Sequence, residues 1–420
     1  MMREYSALGE RLYRTVLPNG LTVVVAPRPG FSKRLAYFVT DFGSIHTDFL
    51  LEGKEYHVPA GIAHFLEHKM FELPDRDVSA EFAALGGNVN AFTSYDMTAY
   101  YFSCTEHFEE NLHLLLEFVS TPYFPEESVQ REMGIIDQEI GMNADTPDSR
   151  IFEQLTEIMY RKHPIRVPIL GTSESIRRIT SETLHACHRA FYTPGNMILC
   201  VIGDVAPETV TGIARQVLGD EQRPVGEKLR DWSETMDCSG QTAGQMEVAM
   251  PTFLLGFKCE ATGTGDAAIL QEIIGDLACE ALFGESSTLY LKLYEEGLID
   301  GSFGGGYETV DGGALITCGG DSEDAEAVRA AILARAEEIV AQGIPEKDFL
   351  RLKRSALGRR VRDLDSFDST CFRLCAYHFS DYDYFRFPGA YAEVSRQEVL
   401  EFIRRAVRPD RCCMCVIDPL

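Results

Sequence analysis

The order of secondary-structure signals along this chain of 420 residues occurs twice, and this repetition restricts the fold more than any other feature. In each half, an apolar strand is followed by a long helix, further strands, two helices and a late strand. A polar stretch rich in Gly, Pro, Asp, Glu and Ser separates the halves, as is typical of a linker. The sequence therefore predicts one domain at residues 1–220, a linker at 221–245 and a similar domain at 246–420.

Strands and helices alternate irregularly within each half, which favours an α+β fold over a doubly wound sheet. A hairpin is predicted around the turn at 17–20, where a β-branched run follows Leu-Pro-Asn-Gly. Further strands are predicted at 35–39, 98–103, 196–204, 253–257, 301–307 and 411–417. Helices are predicted at 59–71, 108–121, 125–143, 207–218, 266–283, 288–296, 325–342 and 345–363.

Charge and hydropathy exclude several classes of partner. Lys and Arg total 39 and Asp and Glu total 65, and the formal charge of −26 repels phosphate backbones, so nucleic acid is not expected as a partner. No apolar run approaches the ~20 residues that cross a bilayer, so no membrane partner is expected. The N-terminus lacks the apolar segment of a secretory signal, and a cytoplasmic location is therefore expected.

The chain contains 12 cysteines, which are expected to be reduced thiols in the cytoplasm. Cys371 and Cys375 form a C-x3-C pair, and Cys412, Cys413 and Cys415 lie in the last predicted strand. The sequence has no paired metal-binding knuckles at standard spacing. We interpret these thiols as small hydrophobic side chains in the core rather than as metal ligands.

Residues 61–71 carry the motif H-x-x-E-H on a predicted helix. His64 and His68 are four residues apart, so both imidazoles lie on one helix face and can reach one ion. Glu67 lies on the same side, where a carboxylate can act as a base on water at the metal. This arrangement predicts a zinc site and matches the inverzincin motif, the reverse of H-E-x-x-H. The alternative, a helix with capped or solvated histidines, is less expected for two histidines at this spacing.

A catalytic zinc site needs a third protein ligand, which the helix predicted at 125–143 can supply. Glu132 and Glu139 are seven residues apart and face one way, with Ile136 and Ile140 on the predicted buried stripe. One glutamate can bind the metal and the other can accept a hydrogen bond from a histidine N–H. Spacing alone does not decide between them, and a solvated acidic face is the alternative for both.

Residues 86–96 form a second polar constellation, in which glycines and small polar side chains precede a strand. An exposed strand edge at this place can bind an extended peptide through main-chain hydrogen bonds. The alternative is an ordinary turn followed by an edge strand. The proximity of the predicted zinc motif in the sequence favours peptide binding.

Taken together, these segments resemble the insulinase/pitrilysin family of zinc peptidases, which includes the mitochondrial processing peptidases. The matches run in order through the first half, and the residues at 61–72 and 294–300 are similar to a bacterial subgroup of the family. The matching segments are H-x-x-E-H at 64–68, N-A-F-T at 90–93, T-A-Y-Y at 98–101, E-x6-E at 132–139, F-Y-T-P-G-N-M at 191–197 and V-I-G-D at 201–204.

The resemblance implies one Zn²⁺ per chain, bound by His64, His68 and Glu139. It implies that Glu67 is the general base and that Glu132 is the supporting carboxylate of the catalytic set. It further implies two similar α+β domains, each a mostly antiparallel sheet covered by helices, with one active centre in the first. Such a chain is half of a clamshell of the processing-peptidase type and pairs with a related chain, as a homodimer or heterodimer, around a closed chamber.

The resulting hypothesis is a zinc-dependent endopeptidase that hydrolyses peptides or unfolded segments inside that chamber. Many family members carry Arg and Tyr where this chain has Glu296 and Asp300, which puts substrate contact by that pair in doubt. The alternative is a weakly active or non-degradative subunit of a heteromeric peptide-processing or peptide-modification complex. The second half contains only His378, so no equivalent zinc site is expected there. The expected substrate-binding residues are Asn90, Ala91, Phe92 and Thr93.

Overall fold

The structure, a computed structural model, describes residues 2–420. Its strands are β1 (Met2–Tyr5), β2 (Glu10–Val16), β3 (Thr22–Pro27), β4 (Arg34–Thr40), β5 (Asp48–Leu51), β6 (Lys54–His57), β7 (Glu72–Leu73), β8 (Arg76–Asp77), β9 (Asn88–Thr93), β10 (Thr98–Cys104), β11 (Met197–Gly203), β12 (Glu227–Lys228), β13 (Gly240–Met246), β14 (Thr252–Cys259), β15 (Gly304–Val310), β16 (Gly313–Asp321) and β17 (Cys412–Pro419). Its helices are α1 (Ile62–Met70), α2 (Val78–Ala84), α3 (Phe108–Ser120), α4 (Glu126–Ala144), α5 (Pro147–Met159), α6 (Ser173–Ile176), α7 (Ser181–Phe191), α8 (Pro207–Leu218), α9 (Asp266–Phe283), α10 (Thr288–Glu295), α11 (Ala325–Gln342), α12 (Glu346–Arg362), α13 (Phe367–Phe379), α14 (Phe387–Glu393) and α15 (Arg396–Ala406).

Several predicted helix bounds agree with the structure, whereas α7 and α15 were not predicted although each begins with a capping box. Helices α8, α9 and α11 have the predicted bounds. The helix predicted at 59–71 is shorter, because Gly61 precedes it with φ 88°. A side chain at Gly61 would lie 2.4 Å from the carbonyl oxygen of Leu170, so this left-handed residue ends the preceding loop and α1 begins at Ile62.

The chain forms two compact units that are not continuous in sequence. The first unit comprises the residues up to Ile140, Pro168–Arg230 and Asp363–Phe385. The second unit comprises Gly141–Val167, Asp231–Arg362 and Arg386–Leu420. Within residues 2–420, no helix is both long enough and apolar enough to cross a bilayer.

The first unit contains a seven-stranded sheet in the order β1-β2-β3-β11-β4-β10-β9. β3 and β11 are parallel, whereas the other neighbours are antiparallel. The predicted hairpin is confirmed, since β2 pairs with β3 and Val16 lies opposite Thr22. β11 is buried along its whole length because it lies in the middle of this sheet.

The second unit contains a five-stranded sheet in the order β13-β17-β14-β16-β15. Its single parallel pair is β13 with β17, and the other pairs are antiparallel. The strands β3-β11-β4-β10-β9 of the first unit have the same order, the same directions and the same sequence relation to one another. The predicted fold class, two similar α+β halves with mostly antiparallel sheets, is confirmed.

The stretch predicted as a linker at 221–245 needs a correction. It contains the short strand β12 and most of β13, so the second sheet begins before residue 246. β13 has the sequence G-Q-T-A-G-Q-M, without a run of β-branched or aromatic residues, and its residues are exposed or half-buried. An edge strand of this composition has no sequence signal that distinguishes it from a polar loop.

The division of the chain into units also differs from the predicted linear one, because each half supplies one helix to the other unit. Helix α5 lies within the first half of the sequence but packs on β13, β14 and β17 of the second unit. Helix α13 lies within the second half but packs on β4 and β11 of the first unit. The two helices have equivalent positions in the repeat, each being the third helix after β10 or β16.

The cysteines agree with their interpretation as core side chains. All twelve are free and buried. Those near the C-terminus lie on β17, as predicted, and that strand pairs with β13 and β14.

Candidate metal centre

Helix α1, which contains the candidate ligands His64 and His68, lies in the core of the first unit. Every residue of α1 except His68 is buried, because Ile62, Phe65 and Leu66 pack into the hydrophobic core on one side and the sheet covers another. A helix that is apolar over most of its surface forms only where it is enclosed in this way. His64 and His68 lie one turn apart with ring centroids separated by 4.6 Å.

Both imidazoles face the carboxylate of Glu139, which lies on α4. Nε2 of His64 is 3.6 Å from Oε1 of Glu139, and Nε2 of His68 is 3.6 Å from Oε2. These distances are too long for hydrogen bonds. They are close to the ~3.3 Å that separates two tetrahedral ligands at ~2.0–2.1 Å from a zinc ion.

The three side chains together provide two imidazole nitrogens and one carboxylate. One ligand atom from each lies within 4.8 Å of the others. This donor set fits Zn²⁺, and three protein ligands leave a coordination position open for water or substrate, as in catalytic sites. Within residues 2–420, no second group of three His, Cys, Asp or Glu side chains meets the same distance condition. The role of these three residues as ligands stays a prediction.

The carboxylate of Glu132 contacts Nδ1, the other ring nitrogen of His68. The distance from His68 Nδ1 to Glu132 Oε1 is 2.9 Å, and the ionised carboxylate can only accept, so Nδ1 is the donor. This contact fixes the tautomer of His68 and leaves the lone pair of Nε2 directed at Glu139. The geometry therefore separates the two glutamates that sequence spacing left equivalent. Glu132 orients a candidate ligand, and Glu139 meets both ε nitrogens.

Burial and neighbouring charges set the protonation of the two histidines in opposite ways. Burial, together with the nearby His68 ring, lowers the pKa of His64 to about 4. Burial also acts to lower the pKa of His68, but the hydrogen bond to Glu132 and the surrounding carboxylates raise it overall. His64 is thus held as the neutral imidazole that binds a metal.

Glu67 lies within the same turn of α1 and is held by a strand residue. Its Oε2 accepts a hydrogen bond of 2.6 Å from the hydroxyl of Thr93 on β9. Burial raises the pKa of Glu67, although the Thr93 hydrogen bond and His68 act in the opposite direction. A carboxylate with a raised pKa is better suited to accept a proton and return it near neutral pH.

Two tyrosines line the interior behind Glu67. The hydroxyls of Tyr100 and Tyr192 lie 2.9 Å apart, and both side chains are buried. Burial, and to a lesser extent the charge of Glu67, raises the pKa of each phenol, so both stay protonated. This pair, like the hydroxyl of Thr93, was not identified from sequence as a contact of the site. The only sequence signal was that the three residues fall within family-like segments.

The predicted substrate-binding residues lie on β9, at the edge of the seven-stranded sheet. β9 pairs with β10 on one side, and none of the described strands pairs with its other side. Asn90 is exposed, and Ala91 and Phe92 are half-buried. The hydroxyl of Thr93 donates a hydrogen bond to Glu67, so this side chain supports the candidate base. The strand edge has the position that peptide binding requires, and the binding role itself stays a prediction.

Glu296 and Asp300, where the family resemblance leads to the expectation of Arg and Tyr, lie in the second unit. Glu296 follows α10, with a carboxylate oxygen 3.9 Å from the ammonium of Lys292. Asp300 accepts hydrogen bonds from the backbone N–H and the hydroxyl of Ser302, at 2.8 and 2.6 Å. Local contacts account for both carboxylates.

Comparison with known sequences and structures gives consistent matches. A profile of the insulinase family (peptidase family M16) matches residues 53–173, and a profile of the peptidase M16 inactive domain matches residues 178–356. The zinc protease YmfH of Bacillus subtilis (strain 168), described as uncharacterized, is 37% identical, with 99% of this chain and 98% of that protein covered. A second B. subtilis zinc protease, YmxG, is 25% identical over 74% of this chain and 76% of its own length.

Solved structures show the same similarity. An M16-like peptidase from Alicyclobacillus acidocaldarius superposes with a TM-score of 0.93 at 32% identity, covering 98% of this chain and 99% of that one. A protease from Helicobacter pylori has a TM-score of 0.83 at 18% identity, covering 98% of this chain and 100% of that one, and supports the fold alone.

Proposed function

The chain belongs to the insulinase family, peptidase family M16, and on that premise we propose that it is a zinc-dependent endopeptidase that hydrolyses peptides or unfolded segments. The family resemblance inferred from the motifs is thereby confirmed. The observation that carries the proposal is the convergence of His64 Nε2, His68 Nε2 and the Glu139 carboxylate beside the buried carboxylate of Glu67.

The proposed roles divide between binding the metal and moving a proton. His64, His68 and Glu139 would hold one Zn²⁺, which when bound supplies Lewis acidity at the scissile carbonyl and lowers the pKa of water. Glu67 accepts the proton of the attacking water and returns it to the amine that leaves. Thr93 holds one oxygen of Glu67, so the other oxygen is left to face the reacting water.

We further propose that substrate binds as an added strand along β9. Main-chain hydrogen bonds to an edge strand recognise any extended peptide, so they tolerate many sequences. Asn90, Ala91 and Phe92 would line the bound segment, and Thr93 connects that edge to Glu67. A peptide in this place lies beside the residues that would cleave it.

The size of accepted substrates would be set by a chamber formed with a second chain. A related chain, in a homodimer or a heterodimer, would close over the first unit. This proposal rests on the family membership and on there being a single group of potential metal ligands within residues 2–420. Folded proteins would then be excluded by size, and short or unfolded segments admitted.

A second candidate is a weakly active or non-degradative subunit of a heteromeric peptide-processing complex. It is favoured by Glu296 and Asp300, two carboxylates where many relatives carry Arg and Tyr. In such a complex the partner would supply the missing substrate contacts, and the isolated chain would bind zinc without rapid turnover.

One set of measurements on a single purified sample distinguishes the two candidates. Native mass, zinc content by elemental analysis, and cleavage of a quenched fluorescent peptide are recorded before and after treatment with a chelator and then with added zinc. The endopeptidase proposal predicts one zinc per chain, a dimer, and turnover that disappears with the chelator and returns with zinc. One zinc per chain without turnover by the homogeneous dimer would instead support the subunit role.

A further inference from the structure

Lys69 is a fully buried lysine that directly follows His68 on α1. Its side chain has 0% exposure. The ammonium hydrogen-bonds the carboxylate of Glu72 and the hydroxyl of Ser128, and Ser128 also donates to the same Glu72 oxygen. Arg131 adds a longer contact to Glu72, at 3.4 Å. The mechanism above uses none of these residues.

These contacts join α1 to the first turn of α4, the helix that carries Glu132 and Glu139. Ser128 precedes Glu132 by four residues and Glu139 by eleven, so all three lie on one face of α4. At about 1.5 Å per residue, Ser128 is ~6 Å along the axis from Glu132 and ~16 Å from Glu139. The two helices therefore meet at three levels: Lys69 with Ser128, His68 with Glu132, and both histidines with Glu139.

Apolar packing holds α4 along a single stripe. Val129 and Ile136 are buried in the core, and Met133 and Ile140 pack partly against it. Such a stripe orients the helix around its axis, whereas directional polar contacts also define its position along the axis. Glu139 lies near the far end and is 42% exposed, so its position follows from how the helix as a whole is held.

Core filling does not explain a lysine at this position. An unbranched apolar side chain such as Met would occupy similar volume without the cost of removing a charge from water. A buried ammonium stays favourable only while its partners remain in place, so the contact with Glu72 and Ser128 selects one arrangement of α4 against α1.

We propose that Lys69 is a positioning residue of the metal centre. With Glu72 it fixes the first turn of α4 against α1 and thereby sets where Glu139 meets the two imidazoles. This inference rests on the proposed zinc peptidase function. Glu132 acts on His68 through a direct hydrogen bond, whereas Lys69 would act on Glu139 through the placement of α4.

The test compares Lys69→Met with Lys258→Met as a matched control. Lys258 is also buried, but it lies in the second unit, where its ammonium is 3.0 Å from a carboxylate oxygen of Glu234. Zinc affinity is measured by competition with a chromophoric chelator, and the coordination of Co²⁺ by its visible absorption, at a temperature where circular dichroism shows every variant folded. Loss of a contact that orients a ligand typically weakens metal binding by about 10–100-fold.

We expect Lys69→Met to bind zinc about 10-fold more weakly, to change the Co²⁺ spectrum, and to lower kcat while KM for a short peptide stays within about 2-fold. Lys258→Met is expected to keep the zinc affinity and Co²⁺ spectrum of the unaltered chain. Ser128→Ala removes one partner with a smaller perturbation and is expected to weaken zinc binding about 3-fold, so the proposal remains testable if Lys69→Met does not fold.

Two outcomes overturn the inference, and they differ in what else they affect. If the unaltered chain binds zinc and both Lys69→Met and Ser128→Ala bind it equally tightly, Lys69 has no positioning role and the proposed function stands. If the unaltered chain binds no zinc at all, the proposed function fails and this inference fails with it.

Discussion

The two units contain corresponding pairs of helices, but the side chains where the two helices meet differ in chemistry. In the first unit, α1 lies between β4 and β9 in sequence and meets α4, the second helix after β10. In the second unit, α9 lies between β14 and β15 and meets α12, the second helix after β16. The first pair presents two imidazoles and a carboxylate to each other, whereas the second pair presents carboxylates and arginines.

The second helix pair contains a cation of its own, the guanidinium of Arg360. Glu272 and Asp276 lie four residues apart on α9, as the two histidines do on α1. The guanidinium of Arg360 on α12 is hydrogen-bonded to Glu272 and is 3.8 Å from Asp276. It also lies over the rings of Phe387 and Tyr391, at 5.9 and 5.6 Å.

The comparison shows that the contact between two such helices can either contain a cation of the chain itself or present only groups that can bind one. We call the contact of α9 with α12 the closed crossing and that of α1 with α4 the open crossing. A permanent guanidinium satisfies the carboxylates of the second unit from within the chain. In the first unit the facing groups are the ε nitrogens of both histidines and the Glu139 carboxylate, and each nitrogen lies 3.6 Å from a carboxylate oxygen. A set of donors at that spacing can bind a divalent cation from outside the chain, which is the role proposed for this site.

The largest expected effect comes from removing an imidazole of the open crossing. His68→Ala deletes a candidate ligand and its bond to Glu132, and we expect zinc affinity to fall by at least ~10³-fold. Asp276→Ala, on the helix of the second unit that corresponds to α1, is the matched control and should retain one zinc per chain. Zinc content is measured by elemental analysis after exhaustive dialysis. One tightly held zinc per chain in His68→Ala would refute the ligand assignment.

The second-largest expected effect is a fall in kcat without a change in zinc content. Glu67→Gln keeps the shape of the side chain but cannot accept a proton, so kcat should fall about 10²–10³-fold while zinc content is unchanged. Glu272→Gln on α9 is the control in the second unit and should leave kcat within about 2-fold. Steady-state rates on a quenched peptide give the comparison, and full activity of Glu67→Gln would remove its assignment as the base.

Removing the internal cation tests the closed crossing. Arg360→Met removes the guanidinium from its contacts with Glu272 and Asp276, and we expect the free energy of unfolding to fall by about 2 kcal/mol. This is less than for a fully buried pair, because both carboxylates are partly exposed. Zinc affinity should not change.

Denaturant unfolding measures the effect of that substitution. Arg404→Met, which breaks the exposed pair of Arg404 with Glu401, is the control and should cost no more than ~0.5 kcal/mol. A cost for Arg360→Met as small as that of the control would mean that the guanidinium does not stabilise the crossing.

The smallest expected effect is a difference in acid sensitivity between the units. Burial lowers the pKa of His188 in the first unit to about 4, below the ~6.5 of an unfolded chain. Between these values the unfolded state binds the extra proton, so stability is complete above pH ~6.5 and is lost as the pH falls toward 4. At pH 5.5 this histidine alone should cost about 1 kcal/mol.

Hydrogen exchange at pH 7 and pH 5.5 tests that difference. Amides of α7 and β11 in the first unit should lose more protection than those of α9 in the second. His188→Gln can still donate to the carbonyl of Val119 but does not titrate, so it should reduce the loss. The same loss in His188→Gln as in the unaltered chain would contradict the assignment.

Much of the fold and part of the site could be predicted from sequence, because their determinants are local. Helix periodicity and the glycine that follows each helix indicated the bounds of α8, α9 and α11, and the spacing of His64 and His68 placed both imidazoles on one face of a helix. The alternation of element types indicated the repeated α+β topology. These properties depend on residues within a few positions of one another.

Other features depend on which segments meet in space, and no local pattern specifies them. The different contacts of Glu132 and Glu139 come from the placement of α4 against α1, and the exchange of α5 and α13 between the units comes from the sheets on which they pack. β13 has the composition of a loop and becomes a strand because β17 pairs with it.

The sequence by itself determined the chemistry available to this protein: two imidazoles one helical turn apart, a glutamate between them and a helix with two candidate carboxylates. Only the tertiary structure decided how these groups are used. It placed Glu139 before both ε nitrogens, Glu132 behind His68 and Thr93 on Glu67. The physical reason is that backbone geometry fixes neighbours within a helix, whereas distances between helices and strands result from the packing of the whole unit.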